Sequence, residues 1–582
     1  MKHLLRLMVV LLASLMLTAV LSVSAQDDPA SSDDAQSGIV QGGILVESTS
    51  ETTLTAASFN PMYCTEELDV CRHLMEKVYP SLFAVDPETG LLLAGETGNF
   101  GVVVEPTLTP DETWTLRRDL VWSDGTPVTA YDVFFTWAAR VWFLYMDSPI
   151  RAMQVVDEYT LSVEYRSAAC SALPRANFLI LPSHVYSQDF HEYVDAQQAL
   201  KLRPLSEWFE FNNHEFAQYF SNLQNRTDIP PTAGAFEIAE VRPNEEIRLI
   251  SDDLAYILRA SETSAVDAFL SGDIDLLINP PINRRADLLA ATAANGLQIA
   301  EPLSTSSDFI LFNVANPGRP RSAHYDSGAP IDQGAHRVFS NVDVRRAFQL
   351  AIDMDEIIRV AFQGDAVPLA STLPATSWAY NPDLEPSGFD PREAEALLEA
   401  AGWKAIYWNG TRVCLGCETA EDGTLLSITL TYQTGKGREI VAELIGRHLR
   451  RVGFDVRVGS GDFPADQQHF DAYLMEIEAD PDPDQWLRFS AQGDVIDSGP
   501  NITSYHDEAL SELLNEARTL PGCNPAARAE LYREAQALLQ EQQPYAFLYT
   551  RTDFIAAQPS VVSFAPIAGR PFWNTAEWRV IR

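Results

Sequence analysis

WTLRRDLVWSDGTPVTAYDV, residues Trp114–Val133, holds the end of a strand, a tight turn and the start of a helix. Trp114-Thr115-Leu116 reads as strand, and Ser123-Asp124-Gly125-Thr126-Pro127 supplies residue types that close turns. Thr129 is the expected N-cap of the next helix. Asp132, three residues on, is positioned to return a hydrogen bond, an approximation to a capping box. Val133, Phe134 and Trp137 then fall on one helical face.

Outward from this unit, helix-like and strand-like segments alternate. Helices are predicted over 264–270 (ended by Gly272), Val344–Ile358, Pro391–Ala401 (stopped by Gly402), Arg438–Val452 and Ala526–Gln540. Strands are predicted at Ile44–Val46, Ile274–Ile278, Phe309–Val314, Leu426–Tyr432, Phe454–Val458, Phe470–Ile477 and Tyr545–Leu548. The order strand, helix, strand across 426–458 predicts a parallel pairing. No repeat of fixed period is visible. The reading is an α/β protein with several lobes.

The chain has 582 residues with ordinary globular composition, 46% hydrophobic and 21% charged, room for roughly three or four domains. Its 81 acidic residues against 41 Lys and Arg give a net charge of −40, a field that repels polyanions and argues against nucleic acid as a partner. Lys2, His3 and Arg6 precede an apolar run from Leu7 to about Val20, and Val23-Ser24-Ala25 supplies small residues. This reads as a signal peptide over 1–25 cut before Gln26, with an uncleaved anchor as the alternative. No Cys stands near the cut to carry a lipid. Residues 26–41 are acidic, polar and too poor in large apolar side chains to bury a core, and they read as a flexible tether. The expectation is an extracytoplasmic chain. Six cysteines suit an oxidising compartment. Six cysteines allow 15 pairings, and the expected one is Cys64–Cys71, Cys414–Cys417 and Cys170–Cys523. Cys414-Leu415-Gly416-Cys417 also fits a redox or metal motif, although no second CxxC or paired His accompanies it.

Catalytic patterns are missing from the sequence: no HExxH, no GxSxG, no GxxxxGK[ST] and no GxGxxG after a strand. Among so many carboxylates, nothing singles out a glycosidase pair. The chain is not read as an enzyme, and no catalytic residue, metal ligand or cofactor is expected. One feature invites a ligand. Asp480-Pro481-Asp482-Pro483-Asp484 ends an apolar strand, and its prolines keep the backbone out of the ladder. It reads either as a rigid acidic loop offering a counter-charge to a cationic group, or as a solvated turn or calcium site. Trp486 stands between core and ligand platform.

The quoted stretch resembles the signature of the extracytoplasmic solute-binding proteins of peptide-type ABC importers, the dipeptide- and oligopeptide-binding proteins. Matches follow in the family's order at Gly42-Gly43, Asn60-Pro61, Leu181-Pro182-Ser183-His184, Ser271-Gly272-Asp273-Ile274-Asp275 and Phe312-Asn313-Val314. They continue through Asp343-Val344-Arg345-Arg346-Ala347, Ala351-Ile352-Asp353, Asp390-Pro391 and Ala401-Gly402-Trp403, so the resemblance runs from Gly42 to about Phe564. It implies a two-lobed periplasmic-binding-protein-like fold with the ligand cleft between the lobes. The first lobe would be built from 42–59, 231–315 and 544–582, with an extra subdomain over 60–230. The second would span 316–543, and the crossings would fall near 309–315 and 544–550. It further implies a monomer that captures a small solute or short peptide by lobe closure, then delivers it to a membrane permease with ATPase subunits. The amine-binding Asp of the peptide binders maps to Asp480, with Asp482 a second candidate because the loop is one residue shorter. The family's Gly-Trp pair before the loop is replaced by Glu476-Ile477, and the GTGPY-like turn stands as Thr232-Ala233-Gly234-Ala235-Phe236. Glu476 therefore joins the candidates as an acid favouring a cationic ligand, while Trp378, Tyr380 and Trp486 would serve an oligosaccharide. Members of the family also carry metal chelates and other solutes. An exported hydrolase or chaperone on the same scaffold is the distant alternative.

Overall fold

Two β-sheets carry the architecture of the computed structural model. It describes residues 44–49, 59, 69–93, 111–142, 148–167, 169–187, 190–199, 228–252, 254–260, 265–406, 410–461 and 468–581. The expected signal peptide and tether lie outside the described residues, as does Cys64 of the expected Cys64–Cys71 pair.

The first sheet has seven strands in the order Glu237–Arg242, Glu246–Ile250, Ala255–Ala260, Ile44–Thr49, Leu276–Ile278, Ile555–Ala557, Gln298–Ala300. Its centre is parallel, with Ile44–Thr49 between Ala255–Ala260 and Leu276–Ile278. Successive side chains alternate between two cores, as a pleated strand requires. Tyr256, Leu258 and Leu276 face the core shared with a three-stranded sheet (Asp111–Thr115, Ile150–Asp157, Thr160–Tyr165) and the helix Ala130–Trp142, while Ile257 and Leu277 face the helices on the other side.

The second sheet has six strands, in the order Ala366–Pro368, Tyr545–Thr552, Leu303–Phe312, Ala472–Glu478, Ser427–Tyr432, Asp455–Ser460. Ser427–Tyr432 pairs in parallel with both of its neighbours, so the strand–helix–strand reading holds. The intervening helix Arg438–Val452 buries Val441, Leu444, Ile445 and Leu449 on one face, each worth about 1.5–3 kcal/mol relative to exposure. Ile310, Phe312 and Leu474 join that core. Phe309, Leu311 and Tyr473 point to the opposite core, under the helices Glu508–Thr519 and Pro525–Gln542.

The chain passes between the sheets at Glu301-Pro302 and again at Asp553-Phe554. The two passages run side by side, with the Asp553 amide donating to the Pro302 carbonyl at 2.9 Å. These passages replace the expected crossings near 309–315 and 544–550. The strand expected from Phe309 begins at Leu303, because Leu303-Ser304-Thr305-Ser306-Ser307-Asp308 carries too few apolar residues to register as strand. The helix expected over Val344–Ile358 is also two helices, Val342–Leu350 and Met354–Ala361. Asp353 interrupts them by capping the second, its carboxylate accepting from the Glu356 amide at 2.9 Å.

Buried polar side chains tie the quoted stretch down. Asp132 accepts from the Thr129 amide (2.8 Å), Trp122 Nε1 (3.3 Å), and the Ser183 amide and hydroxyl (2.8 and 2.7 Å). His184 Nε2 lies 2.7 Å from Asp124 Oδ2. Gly234 keeps the one residue of its turn that must stay bare, since a Cβ there would sit 2.5 Å from the Val78 carbonyl carbon. The structure pairs Cys170 with Cys523 and Cys414 with Cys417.

Candidate functional site

Where the strand Ala472–Glu478 ends, the Ala479 amide still bonds the Thr305 carbonyl at 3.1 Å, and the acidic loop then leaves the sheet. Pro481 and Pro483 have no N–H to donate back. The three carboxylates diverge. Asp482 is buried and accepts two hydrogen bonds from Arg528, at 2.8 and 2.7 Å. Burial pushes the Asp482 carboxyl up, and the bidentate guanidinium opposes it; Arg528 in turn stays charged, against its own desolvation, because Asp482 faces it. Asp484 pairs with Arg518 at 3.2 Å and accepts from the Ser171 hydroxyl at 2.6 Å. Asp480 is the one left accessible, its side chain 49% exposed and 3.7 Å from Arg488.

Asp480, Glu478 and Arg488 line a small pocket together with Ser307, Phe309, Leu373, Pro374 and Ile477. Apolar walls with two exposed acids, Glu478 and Asp480, and one base at the rim suit a small solute that carries charge. The pocket lies at the carboxyl end of the strand Ala472–Glu478, which runs parallel to Ser427–Tyr432, an end of the kind at which open α/β sheets hold ligands.

The aromatic candidates stand around the loop rather than in the pocket. Trp378 donates from Nε1 to the Pro481 carbonyl (3.3 Å), packs edge-on against Tyr532 and carries the Arg528 guanidinium 5.3 Å from its ring centre. Trp486 has Arg518 over its ring at 4.5 Å. Both rings therefore already hold a cation on one face. Tyr380 is half-buried, its carbonyl 3.5 Å from Arg533 Nε.

Glu476 is not brought together with them. Strand alternation turns it to the opposite face of the sheet, where it meets Lys436 (2.9 Å), Arg438 (3.1 Å) and Arg551 (3.3 Å). Burial works against its charge, yet Lys436 and Arg551 hold its carboxyl below the usual range. Its cross-strand neighbour Asp308 is 3.3 Å from Arg438, and there burial prevails, with the carboxyl pushed up to about 6. Among the described residues, no group of three or more His, Cys, Asp or Glu is arranged to hold a metal ion.

Sequence reasoning missed the arginines. Arg488, Arg518 and Arg528 decide which aspartates remain open, yet Arg528 stands 46 residues from the acid it neutralises. The only signal was that three close carboxylates require cations somewhere in the fold.

The profile of the bacterial extracellular solute-binding proteins, family 5, matches residues 109–495. A dipeptide-binding protein of Pseudomonas aeruginosa is 25% identical over 340 residues, 57% of this chain and 56% of that protein, so the match spans little more than half the length of that relative. The oligopeptide-binding protein AppA of Bacillus subtilis is 23% identical over 92% of both chains. Its structure with a nonapeptide superposes with a TM-score of 0.63 at 20% identity, covering 93% of this chain and all of that one. NikZ of Campylobacter jejuni, solved with Ni(L-His), gives a TM-score of 0.61 at 18% identity, over 92% of this chain and 99% of that one.

Proposed function

The chain belongs to the bacterial extracellular solute-binding proteins of family 5, and from that premise we propose that it captures a short peptide outside the cytoplasmic membrane for an ABC importer. The lobes close on the solute, and a permease with its ATPase subunits takes it up. The protein binds without turnover, as a monomer carried out of the cytoplasm by the signal peptide over 1–25.

The observation that carries the peptide reading is the unequal use of the acidic loop. With Asp482 and Asp484 engaged by Arg528 and Arg518, the half-exposed Asp480, 3.7 Å from Arg488, is the carboxylate of the loop most open to a ligand ammonium in the pocket. Relatives named as dipeptide- and oligopeptide-binding proteins support the same class. Trp378, Trp486 and Tyr380 then act as supports of the loop and rim, and Glu476 as part of the charge cluster behind the sheet.

Native mass spectrometry of gently purified protein, followed by denaturation, identifies what it carries. A family of short peptides is expected; a single sugar or metal chelate would keep the transport role and discard the peptide. Asp480→Ala tests the contact. Leaving a buried ammonium unpaired costs about 3–5 kcal/mol, so the dissociation constant of trialanine rises by more than about 100-fold while that of N-acetyl-trialanine is unchanged. Equal trialanine affinity in wild type and variant would overturn the amine contact.

A further inference from the structure

We propose that the Cys170–Cys523 disulfide is a latch between the two lobes, holding the cleft mouth nearly closed while it is oxidised. This rests on the two-lobed, closing-cleft reading above. The two cysteines belong to different cores. Cys170 precedes Ala172, Leu173 and Ala176, which pack in the core of the first sheet. Cys523 joins the helices Glu508–Thr519 and Pro525–Gln542, whose Leu514, Ala517, Ala529 and Tyr532 pack on the second. They are 353 residues apart in sequence, with Cα atoms at 5.4 Å.

The bridge sits in a polar seam next to the acidic loop. The Cys170 amide donates to the Arg518 carbonyl at 2.7 Å, and the Ser171 hydroxyl donates to Asp484 at 2.6 Å. Arg518 holds that same Asp484. Five residues, Cys170 and Ser171 on one side and Asp484, Arg518 and Cys523 on the other, thus make one covalent and two hydrogen-bonded links beside the acidic loop.

The mechanical consequence follows from counting covalent connections. Glu301-Pro302 and Asp553-Phe554 cross side by side and together form a hinge, about which the lobes can rotate. Cys523 is set off from that pair by the layer of helices on the second sheet. A third link there closes a ring through hinge, lobes and bridge. A disulfide spans Cα separations only up to about 7 Å, so from 5.4 Å the seam can widen at this point by about 1–2 Å and no more. The oxidised protein admits ligand only away from the bridge and prepays part of the ordering cost of closure. A dithiol that passes two electrons and two protons to the bridge, leaving as its own disulfide, converts it to two thiols and restores full opening.

The test compares the ligand-free wild type with Cys170→Ser/Cys523→Ser, and with wild type reduced by a phosphine in case the variant folds poorly. Cys414→Ser/Cys417→Ser controls for the other bridge. Non-reducing peptide mapping should recover the Cys170–Cys523 pair; two free thiols there would end the proposal. Small-angle scattering should give a larger radius of gyration for the unlatched forms alone. Hydrogen exchange at the Cys170 amide should quicken by at least about tenfold. An equally open particle in both states would overturn the latch and leave the closing lobes standing. An equally compact one in both would overturn the latch and count against lobe opening itself.

Discussion

Asp482 gives both carboxylate oxygens to Arg528, and the two side chains are 1% and 4% exposed. Such a pair adds little net stability over an apolar replacement, but removing one partner strands a buried charge. Arg528→Met is therefore expected to lose about 3–5 kcal/mol in urea unfolding. It should also loosen Trp378, whose ring lies under the same guanidinium. A loss below about 1 kcal/mol would mean that Asp482 takes up a proton or finds another cation. The aspartates were legible as a loop because proline and strand patterning are local. Which of them stays open was not, since that depends on Arg488, Arg518 and Arg528 arriving from other segments of the fold.

Cross-strand register decides what a single strand cannot. Asp308 lies between Glu476 on one neighbour and Tyr549 on the other, and the buried Tyr549 hydroxyl has no hydrogen-bond partner among the described residues. The two carboxylates share Arg438, while Glu476 also meets Arg551 and Lys436. Asp308 has its folded-state pKa raised from 3.8 to about 6, by burial first and Glu476 further, against Arg438. Between those values the folded protein keeps a proton that the unfolded chain has released, so stability falls as pH rises through the window and levels off above it. The shift is worth about 3 kcal/mol. Asp308→Asn lacks this component, so from pH 4 to pH 7 its stability relative to wild type should improve by about that amount in urea titrations. A pH-independent difference between the two proteins would refute it. The polar run Ser304–Asp308 is also why half of this strand escaped the sequence reading. The motifs that identified the family behave differently. Asp132, His184, Asn313 and Arg345 all bond neighbouring segments: Asn313 reaches the Gln468 and Phe470 carbonyls, and Arg345 the Phe339, Ser340, Gln542 and Gln543 carbonyls. They fix elements to one another, so they reveal the scaffold and are silent about the ligand.

At the scale of the whole molecule, a net charge of −40 surrounds a pocket lined by the exposed acids Asp480 and Glu478. The two effects are separable because they act at different ranges. A contact at the pocket survives added salt, being within a few ångströms and desolvated on closure. The far field is cut off beyond a Debye length of about 10 Å at 0.1 M salt and about 30 Å at 0.01 M. Steering by the far field changes the association rate, whereas the short contact governs dissociation. For a lysine-containing tripeptide, the association rate is therefore expected to fall by about tenfold between 0.01 and 0.3 M salt. The rate for trialanine should stay nearly flat, and that for a glutamate-containing tripeptide should rise. Dissociation rates should change little in all three, and Asp480→Ala should raise them without altering the salt slope of association. Stopped-flow measurements read both rates at once. Identical salt slopes for the three peptides would show that the mouth of the cleft is insulated from the acidic surface, leaving Asp480 and its neighbours as the whole of the electrostatic selection.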